Sequence, residues 1–219
     1  MNLIKYRDEK AVVKELLEQQ SDKMDKVFAK EALLLHRIKN DNIVKLLMVC
    51  PNPKAIMMEY LVFSFKPFSI DLEANNLGSL LQIIDQQNFS SSLKLHTKIA
   101  RDNVSAIMFL HQNDIVHRDI KPKNILVSNL HYCDQDIEHA GRTFQSCPIV
   151  CKLADLGESR ATFAQTYADK MTHTRFLKRG TLPFMAPEIH VEKYMLNGAS
   201  LDDLKKVDVW ALKHVKWLL

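Results

Sequence analysis

Apolar positions change period twice within the first sixty residues. In NLIKYRDEKAVVKEL (2–16) they alternate on either side of a charged turn, Arg7 to Lys10, which predicts two short strands. In SDKMDKVFAKEALLLHRIKN (21–40), Val27, Leu34, Leu35 and Ile38 recur on one face, and Ser21 or Asp22 stands where a cap is needed, which predicts a helix. NIVKLLMVC (42–50) and AIMMEY (55–60) read as strands on either side of a PNPK turn (51–54). Residues 61–77, with Pro67 and three Phe, read as irregular.

The pattern then turns helical. GSLLQIIDQQ (78–87) is a short helix, and SSLKLHTKIARDNVSAIMFLHQND (91–114) is a long amphipathic one with Ile99, Val104, Ile107, Met108 and Leu110 on its apolar face. The runs NILVSN (124–129) and IVCKLADLG (149–157) are strand-like and enclose a polar insert, 129–148. Residues 158–179 carry many Thr and charges without a sustained apolar period, so they read as a long loop. Strands first and helices afterwards predict an α+β chain in two parts, a small β-rich part over 1–60 and a mainly helical part over 61–219.

Composition narrows the function without naming it. A chain of 219 residues, 47% hydrophobic and 26% charged, buries an ordinary core. A net charge of +4 with no dense Lys/Arg run argues against nucleic acid as the main partner. No apolar run reaches membrane-spanning length and the N-terminus lacks a signal-type apolar core, so the expectation is a cytoplasmic protein without a membrane span. Cys147 and Cys151 are spaced C-x3-C, but no second pair of Cys or His stands near enough to complete a zinc site. Together with Cys50 and Cys133 they read as free thiols in a reducing compartment.

The chemistry concentrates in IVHRDIKPKNILVSN (115–129), where polar and charged groups interrupt two apolar runs. Phosphoryl transfer to a hydroxyl needs a carboxylate to orient the hydroxyl and take its proton, a cation near the transferring phosphate, and oxygen ligands for Mg²⁺. Asp119, Lys121 and Asn124 supply these three types within six residues, and Asp155 in LADLG (153–157) adds a second carboxylate, followed by Gly157 where a sharp turn is expected. AVVK ends in Lys14 on a predicted strand, and Glu31 follows seventeen residues later in a predicted helix, a pairing that would hold a lysine against nucleotide phosphates.

HRDIKPKN (117–124), DLG (155–157), GTLPFMAPE (180–188) and DVW (208–210) occur in an order that resembles a eukaryotic protein kinase domain of the serine/threonine type over almost the whole chain. The resemblance implies a two-lobed protein-kinase-like fold, ATP and Mg²⁺ as cofactors, a protein Ser/Thr substrate, and an activation segment over 155–188. It implies Asp119 as catalytic base, Lys121 in its KP form, Asn124 and Asp155 as Mg²⁺ ligands, and Thr181 as the brace of Asp119 and Lys121. Met58 falls at the gatekeeper position, with Glu59, Tyr60 and Leu61 as the hinge that meets adenine, and Val12 and Leu126 would sandwich the ring. Leu35, Leu46, His117 and Leu156 match the stack that links the lobes, Leu156 standing where Phe is commoner. Arg118 and Arg160 could converge on a phosphate carried by Thr172 or Thr174, the nearer candidates to GTLPF among Thr162, Thr166, Thr172 and Thr174.

The family also has a glycine-rich loop between its first two strands, yet none of the five glycines here precedes Gly78. The expectation is a partial domain, with the first strand and phosphate lid absent, the C-terminal helices cut short, Glu188 without its usual arginine, and Trp210 and Trp217 to Leu219 left uncovered. That departure keeps a second reading open, a non-catalytic kinase-like module that binds nucleotide or protein.

Overall fold

The structure, a computed structural model, describes residues 2–15, 22–89, 92–161, 181–190 and 200–217. Strands β1 (Asn2–Tyr6) and β2 (Glu9–Glu15) form the predicted hairpin. Arg7 and Asp8 make its turn with φ of 48° and 66°, the left-handed pair whose twist matches two antiparallel strands. In β2 the side chains alternate: Ala11 and Val13 are buried in the core, while Val12 and Lys14 stay half-buried on the other face. Strands β3 (Leu46–Pro51) and β4 (Lys54–Glu59) complete an antiparallel sheet in the order β1-β2-β4-β3.

Helix α1 (Asp22–Arg37) buries Leu34 and Leu35, with Ile38 buried just past its end and Val27 half-buried. Asp22 is its first residue, and Ser21 lies outside the described residues. Residues 42–45 are not strand, contrary to the pattern reading. Their backbone is satisfied elsewhere: Val44 N–H donates to Leu153 O at 3.0 Å, Leu153 N–H to Asn42 O at 2.8 Å, and the Asn42 amide to Cys151 O at 3.0 Å. The linker after α1 is thereby stitched to a strand of the second part, β9 (Val150–Leu153).

Residues 61–77 are more regular than expected. β5 (Phe63–Ser64) and β6 (Glu73–Ala74) pair around a 3-10 turn, Lys66–Phe68. Helix α2 (Leu77–Gln86) starts at a capping box, with Asn76 Oδ1 accepting from Ser79 N at 3.0 Å and Ser79 Oγ accepting from Asn76 N at 3.3 Å. Helix α3 (Leu93–Gln112) is capped by Ser92. Its buried stripe is Leu95, Ile99, Asp102, Asn103, Ala106, Ile107 and Leu110, so Val104 and Met108, expected on the apolar face, stand 42% and 55% exposed. The face is rotated because Asp102 is drawn inward, where it accepts from Cys151 N at 3.0 Å and from Lys98.

β7 (Ile115–Val116) precedes the catalytic-type loop, and β8 (Ile125–Ser128) follows it to pair with β9. The insert between β8 and β9 is ordered. It holds helix α4 (Ile137–Ser146), capped by Asp136, whose Phe144 packs edge-on against Phe68 and Phe89. Tyr132 is buried beneath it and donates to Pro148 O at 2.6 Å; burial pushes its hydroxyl well above the ordinary range. β10 (Arg160–Ala161) pairs with β7, and α5 (Pro187–His190) and α6 (Leu201–Trp217) close the described chain. Trp210 is half-buried against Met185, Ala186, Ile189 and Val207 instead of lying bare; Leu218 and Leu219 lie outside the described residues. One apolar core runs from Ile56 and Met58 of the sheet to Leu110 and Ile115 below it. No described helix is long and apolar enough to cross a membrane.

Candidate active site

The loop between β7 and β8 places Asp119, Lys121 and Asn124 together by short-range geometry. Lys121 sits in extended backbone, Pro122 opens a 3-10 turn, and Asn124 closes it. Asn124 then turns its amide back on Asp119, at 2.8 Å to the backbone carbonyl and 3.1 Å to Oδ2. Lys121 Nζ is 2.6 Å from Asp119 Oδ2 and 2.8 Å from Thr181 Oγ1, and the Thr181 hydroxyl donates to Asp119 Oδ1 at 2.9 Å. The Asp119 carboxylate is thus held from both oxygens by three side chains. The start of α2 presses on the same turn: a Cβ added at Gly78 would come within 3.6 Å of Pro122 Cβ.

This loop is fastened from below by Asp208 of α6, which is 1% exposed. Its two oxygens accept the backbone N–H groups of His117 and Arg118, each at 2.8 Å, and Oδ2 also contacts His111 Nε2 at 2.9 Å. Arg118 is left with φ of 71°, a conformation that costs a non-glycine residue about 1–3 kcal/mol and persists only where the surroundings fix it. Asp208 belongs to the DVW motif, but its position 90 residues from Arg118 hides its contribution from a sequence reading. His111 carried no motif signal at all.

The second cluster is assembled from three distant elements. Lys14 Nζ of β2 lies 2.9 and 2.8 Å from the two oxygens of Glu31 on α1, and 3.0 Å from Asp155 Oδ1. Burial works against the Lys14 ammonium, but the two carboxylates outweigh it and hold its pKa above the usual lysine value. Glu31 is only 3% exposed, and burial pushes its carboxyl up despite Lys14. Asp155 is also penalised by burial, yet Lys14, with His117 and Lys121, brings it below the ordinary carboxylate value. The sharp turn expected at Gly157 falls instead at Asp155, with φ of 65° and ψ of 71°. Gly157 serves close approach: an added Cβ would stand 3.4 Å from Val27 Cγ1 and 3.7 Å from Glu31 Oε2.

Val12 lies opposite Met58 in the β2–β4 register, two residues from Lys14 and on its face of the strand. Met58 and Leu61 are buried, while Val12 and Leu126 are half-buried. The Glu59 carboxylate turns away to other groups: Lys152 Nζ of β9 grips both oxygens at 2.8 and 2.9 Å, and Lys45 N–H donates at 2.7 Å. Leu35 and Leu156 are in the main core, His117 is fully buried with Nε2 3.0 Å from Ala154 O, and Leu46 packs on that core part-exposed. Arg160 stands opposite Val116 in the β10–β7 pair, two residues from Arg118. Thr162, Thr166, Thr172 and Thr174 lie outside the described residues. Glu188 makes no ion pair among the described residues, and all four cysteines are free thiols.

A lysine–glutamate pair, an Asp-Leu-Gly turn and a braced Asp/Lys/Asn loop thus occur together in one α+β fold, and comparison with known proteins shows its family. The sequence profile described as "Protein kinase domain" matches residues 2–216, so the chain belongs to the protein kinase domain family. It is 33% identical over 205 residues to human "Cyclin-dependent kinase-like 2", covering 91% of this chain and 32% of that protein. It is 26% identical over 189 residues to "Probable serine/threonine-protein kinase fhkE" of Dictyostelium discoideum, covering 86% of this chain and 21% of that protein. "Serine/threonine-protein kinase STY46" of Arabidopsis thaliana is 27% identical over 185 residues, 84% of this chain and 26% of that protein. The chain therefore spans between a fifth and a third of the length of these relatives.

Proposed function

We propose that this chain carries out ATP-dependent phosphorylation of serine or threonine hydroxyls in proteins. The observation that carries the reading is the Asp119 carboxylate held by Lys121, Asn124 and Thr181 at 2.6 to 3.1 Å. A substrate hydroxyl set against Asp119 would be oriented and would lose its proton to that carboxylate as phosphate transfers. Lys121 would offset charge on the transferring group, and its tie to Thr181 keeps it beside Asp119. Lys14, kept protonated by Glu31 and Asp155, would meet the nucleotide phosphates, and Val12 and Leu126 would take the adenine between them, with Met58, Glu59 and Leu61 at its edge.

The donor set suits Mg²⁺. Asn124 turns its amide nitrogen to Asp119, which leaves its carbonyl oxygen as a hard ligand, and Asp155 supplies a carboxylate oxygen besides the one facing Lys14. Bound there, the ion would neutralise charge on the phosphates. Arg118 and Arg160, the latter paired opposite Val116 two residues before Arg118, would together bind a phosphate carried by Thr172 or Thr174 and order the segment between Asp155 and Glu188.

The test is transfer of labelled phosphate from ATP to a Ser/Thr protein or peptide mixture, with and without Mg²⁺. Mg²⁺-dependent phosphoserine or phosphothreonine supports the reading. Nucleotide binding with no transfer under any condition would favour the non-catalytic module instead.

A further inference from the structure

The chain after Leu61 is joined to β8 through one buried residue. Asn129 follows β8 and is 0% exposed. Its backbone N–H donates to Val62 O at 3.1 Å. Its side-chain amide takes the next alternate residue by both backbone groups: Oδ1 accepts from Ser64 N–H at 2.7 Å, and Nδ2 donates to Ser64 O at 2.9 Å. A primary amide carries the donor and the acceptor of a peptide group, so Asn129 extends the edge of β8 as a further strand residue would. Its own carbonyl is held from the other side by the N–H groups of Tyr132 and Cys133, at 2.9 and 3.0 Å. The return arm of the β5–β6 hairpin lies on β8 as well: Val127 N–H donates to Asn75 O at 3.4 Å, and Asn76 and Leu126 form an antiparallel bridge.

Two sides of the proposed adenine slot meet at this residue. Leu61 is one residue before Val62, and Leu126 is three before Asn129, about 3 Å and about 10 Å of extended chain. Other contacts hold the neighbourhood. Lys152 grips the Glu59 carboxylate before Leu61, and Phe63 and Phe65 are buried in the core after it. The ion pair acts upstream of Leu61, and apolar packing is non-directional, so neither sets how far along β8 the segment sits. Among the described residues, the hydrogen bonds that join residues 62–64 directly to the end of β8 are the three made by Asn129. Val62, Phe63 and Ser64 are all buried, so water does not compete for these bonds.

We propose that Asn129 is a positioning residue for the nucleotide base: by clamping Val62 and Ser64 to the end of β8 it fixes the gap between Leu61 and Leu126, and with it the seat of adenine. Asn129 touches neither the base nor the reacting atoms in this role; it sets the fraction of molecules whose slot is open to the right width. The proposal rests on the placement of adenine in the reading above, and not on phosphate transfer itself.

Binding to the full chain tests it, with adenosine as a probe of the base apart from the phosphates. In Asn129→Ala, titration calorimetry should show affinity for Mg·ATP and for adenosine falling by the same factor, about tenfold, as when the competent fraction falls about tenfold. KM for ATP should rise with it, and kcat at saturating ATP should stay within about twofold. The second variant, Asn129→Asp, keeps the shape of the side chain and decides the matter even if Asn129→Ala does not fold. Ionised, it accepts from Ser64 N–H but has no donor for Ser64 O; protonated, it has both. Burial raises a carboxyl pKa by up to about 3–5 units. Between about pH 8 and about pH 5 the adenosine affinity of Asn129→Asp should therefore climb toward that of the wild type at the same pH. Folded variants that bind adenosine as the wild type does, a deficit in Asn129→Asp that does not change with pH, or a loss confined to kcat overturns the role. A wild type that binds adenosine and Mg·ATP but transfers no phosphate overturns the phosphotransfer reading alone. A wild type that binds neither overturns the adenine site, and this role of Asn129 with it.

Discussion

The Asp119 loop and the Lys14 cluster hold their charges in different ways. In the loop, Asp119, Lys121 and Asn124 lie within six residues, and their mutual contacts follow from one 3-10 turn. Its backbone is then nailed to α6 through Asp208. The Lys14 cluster has no local geometry of its own: Lys14 and Glu31 are 17 residues apart, and Lys14 and Asp155 are 141 apart. It exists only while β2, α1 and the turn at Asp155 are packed together. The loop is a preorganised device; the cluster reports whether three elements have assembled. Substitutions in the first should therefore act on chemistry or on folding, and substitutions in the second on nucleotide engagement.

The largest effect is expected at Asp119. Asp119→Asn should lower phosphotransfer about 10²- to 10⁴-fold, the usual contribution of a positioned base. Nucleotide binding, read as a thermal shift with Mg·ATP, should be unchanged, because the proposed role of this carboxylate is on the acceptor hydroxyl and not on the nucleotide. Loss of nucleotide binding along with activity would show that the two regions are not separable. Next is Asp208→Ala. It leaves two buried N–H groups without acceptors, at about 1–3 kcal/mol each, and releases Arg118 from its left-handed backbone. Chemical denaturation should show a loss of about 2–5 kcal/mol. A variant as stable as wild type would mean that the loop does not depend on this fastening.

The same contrast explains what could be read from the sequence. The loop was legible because its chemistry is contiguous, and the octet HRDIKPKN carries it without help from the fold. Lys14 and Glu31 were found only because each sits on an element with a clear period, a strand and a helix. Contacts made by backbone, or by side chains without a motif, were hidden: His111 on Asp208, Lys152 on Glu59, and residues 42–45 stitched to β9. Val104 and Met108 misled because hydrophobicity alone fixed the face of α3, whereas the buried carboxylate of Asp102 and its bond to Cys151 rotate it. The helix within the polar insert went unread because its order comes from Tyr132 and Phe144 meeting Pro148, Phe68 and Phe89, partners set by the tertiary fold.

A smaller effect is expected where β4 meets β9. Lys152 and Glu59 are 17% and 22% exposed and joined at 2.8 and 2.9 Å, a pair linking the end of the sheet to the strand before Asp155. Lys152→Met should cost about 1 kcal/mol by denaturation, since Glu59 keeps the Lys45 N–H as donor. Phosphotransfer at saturating ATP should be little changed. A loss above about 3 kcal/mol would instead place this pair among the fully buried, structure-determining ones.

The smallest effect on stability is expected at Glu31, although the proposed function gives it a part in nucleotide engagement. Its carboxyl is raised above the ordinary glutamate value by burial, despite Lys14. A group whose folded pKa is raised favours folding below its unfolded pKa and opposes it once pH exceeds the folded value. Above that folded value the ionised Glu31 is therefore a net burden on the fold. Glu31→Gln removes that burden, keeps an oxygen acceptor for Lys14, and leaves Asp155 as the lysine's ionic partner. Stability at pH 7 should stay within about 1 kcal/mol of wild type or rise, as found when buried ion pairs are replaced by neutral groups of similar shape. Below the ordinary glutamate pKa, where this carboxyl is protonated in the folded and unfolded states alike, the two proteins should converge. Affinity for Mg·ATP should nevertheless fall in the variant at pH 7, because Lys14 is now steered by Asp155 alone, the group assigned to the metal. A Glu31→Gln protein that is markedly less stable at pH 7 yet binds nucleotide as wild type does would reverse the assignment and make this pair a brace of the fold.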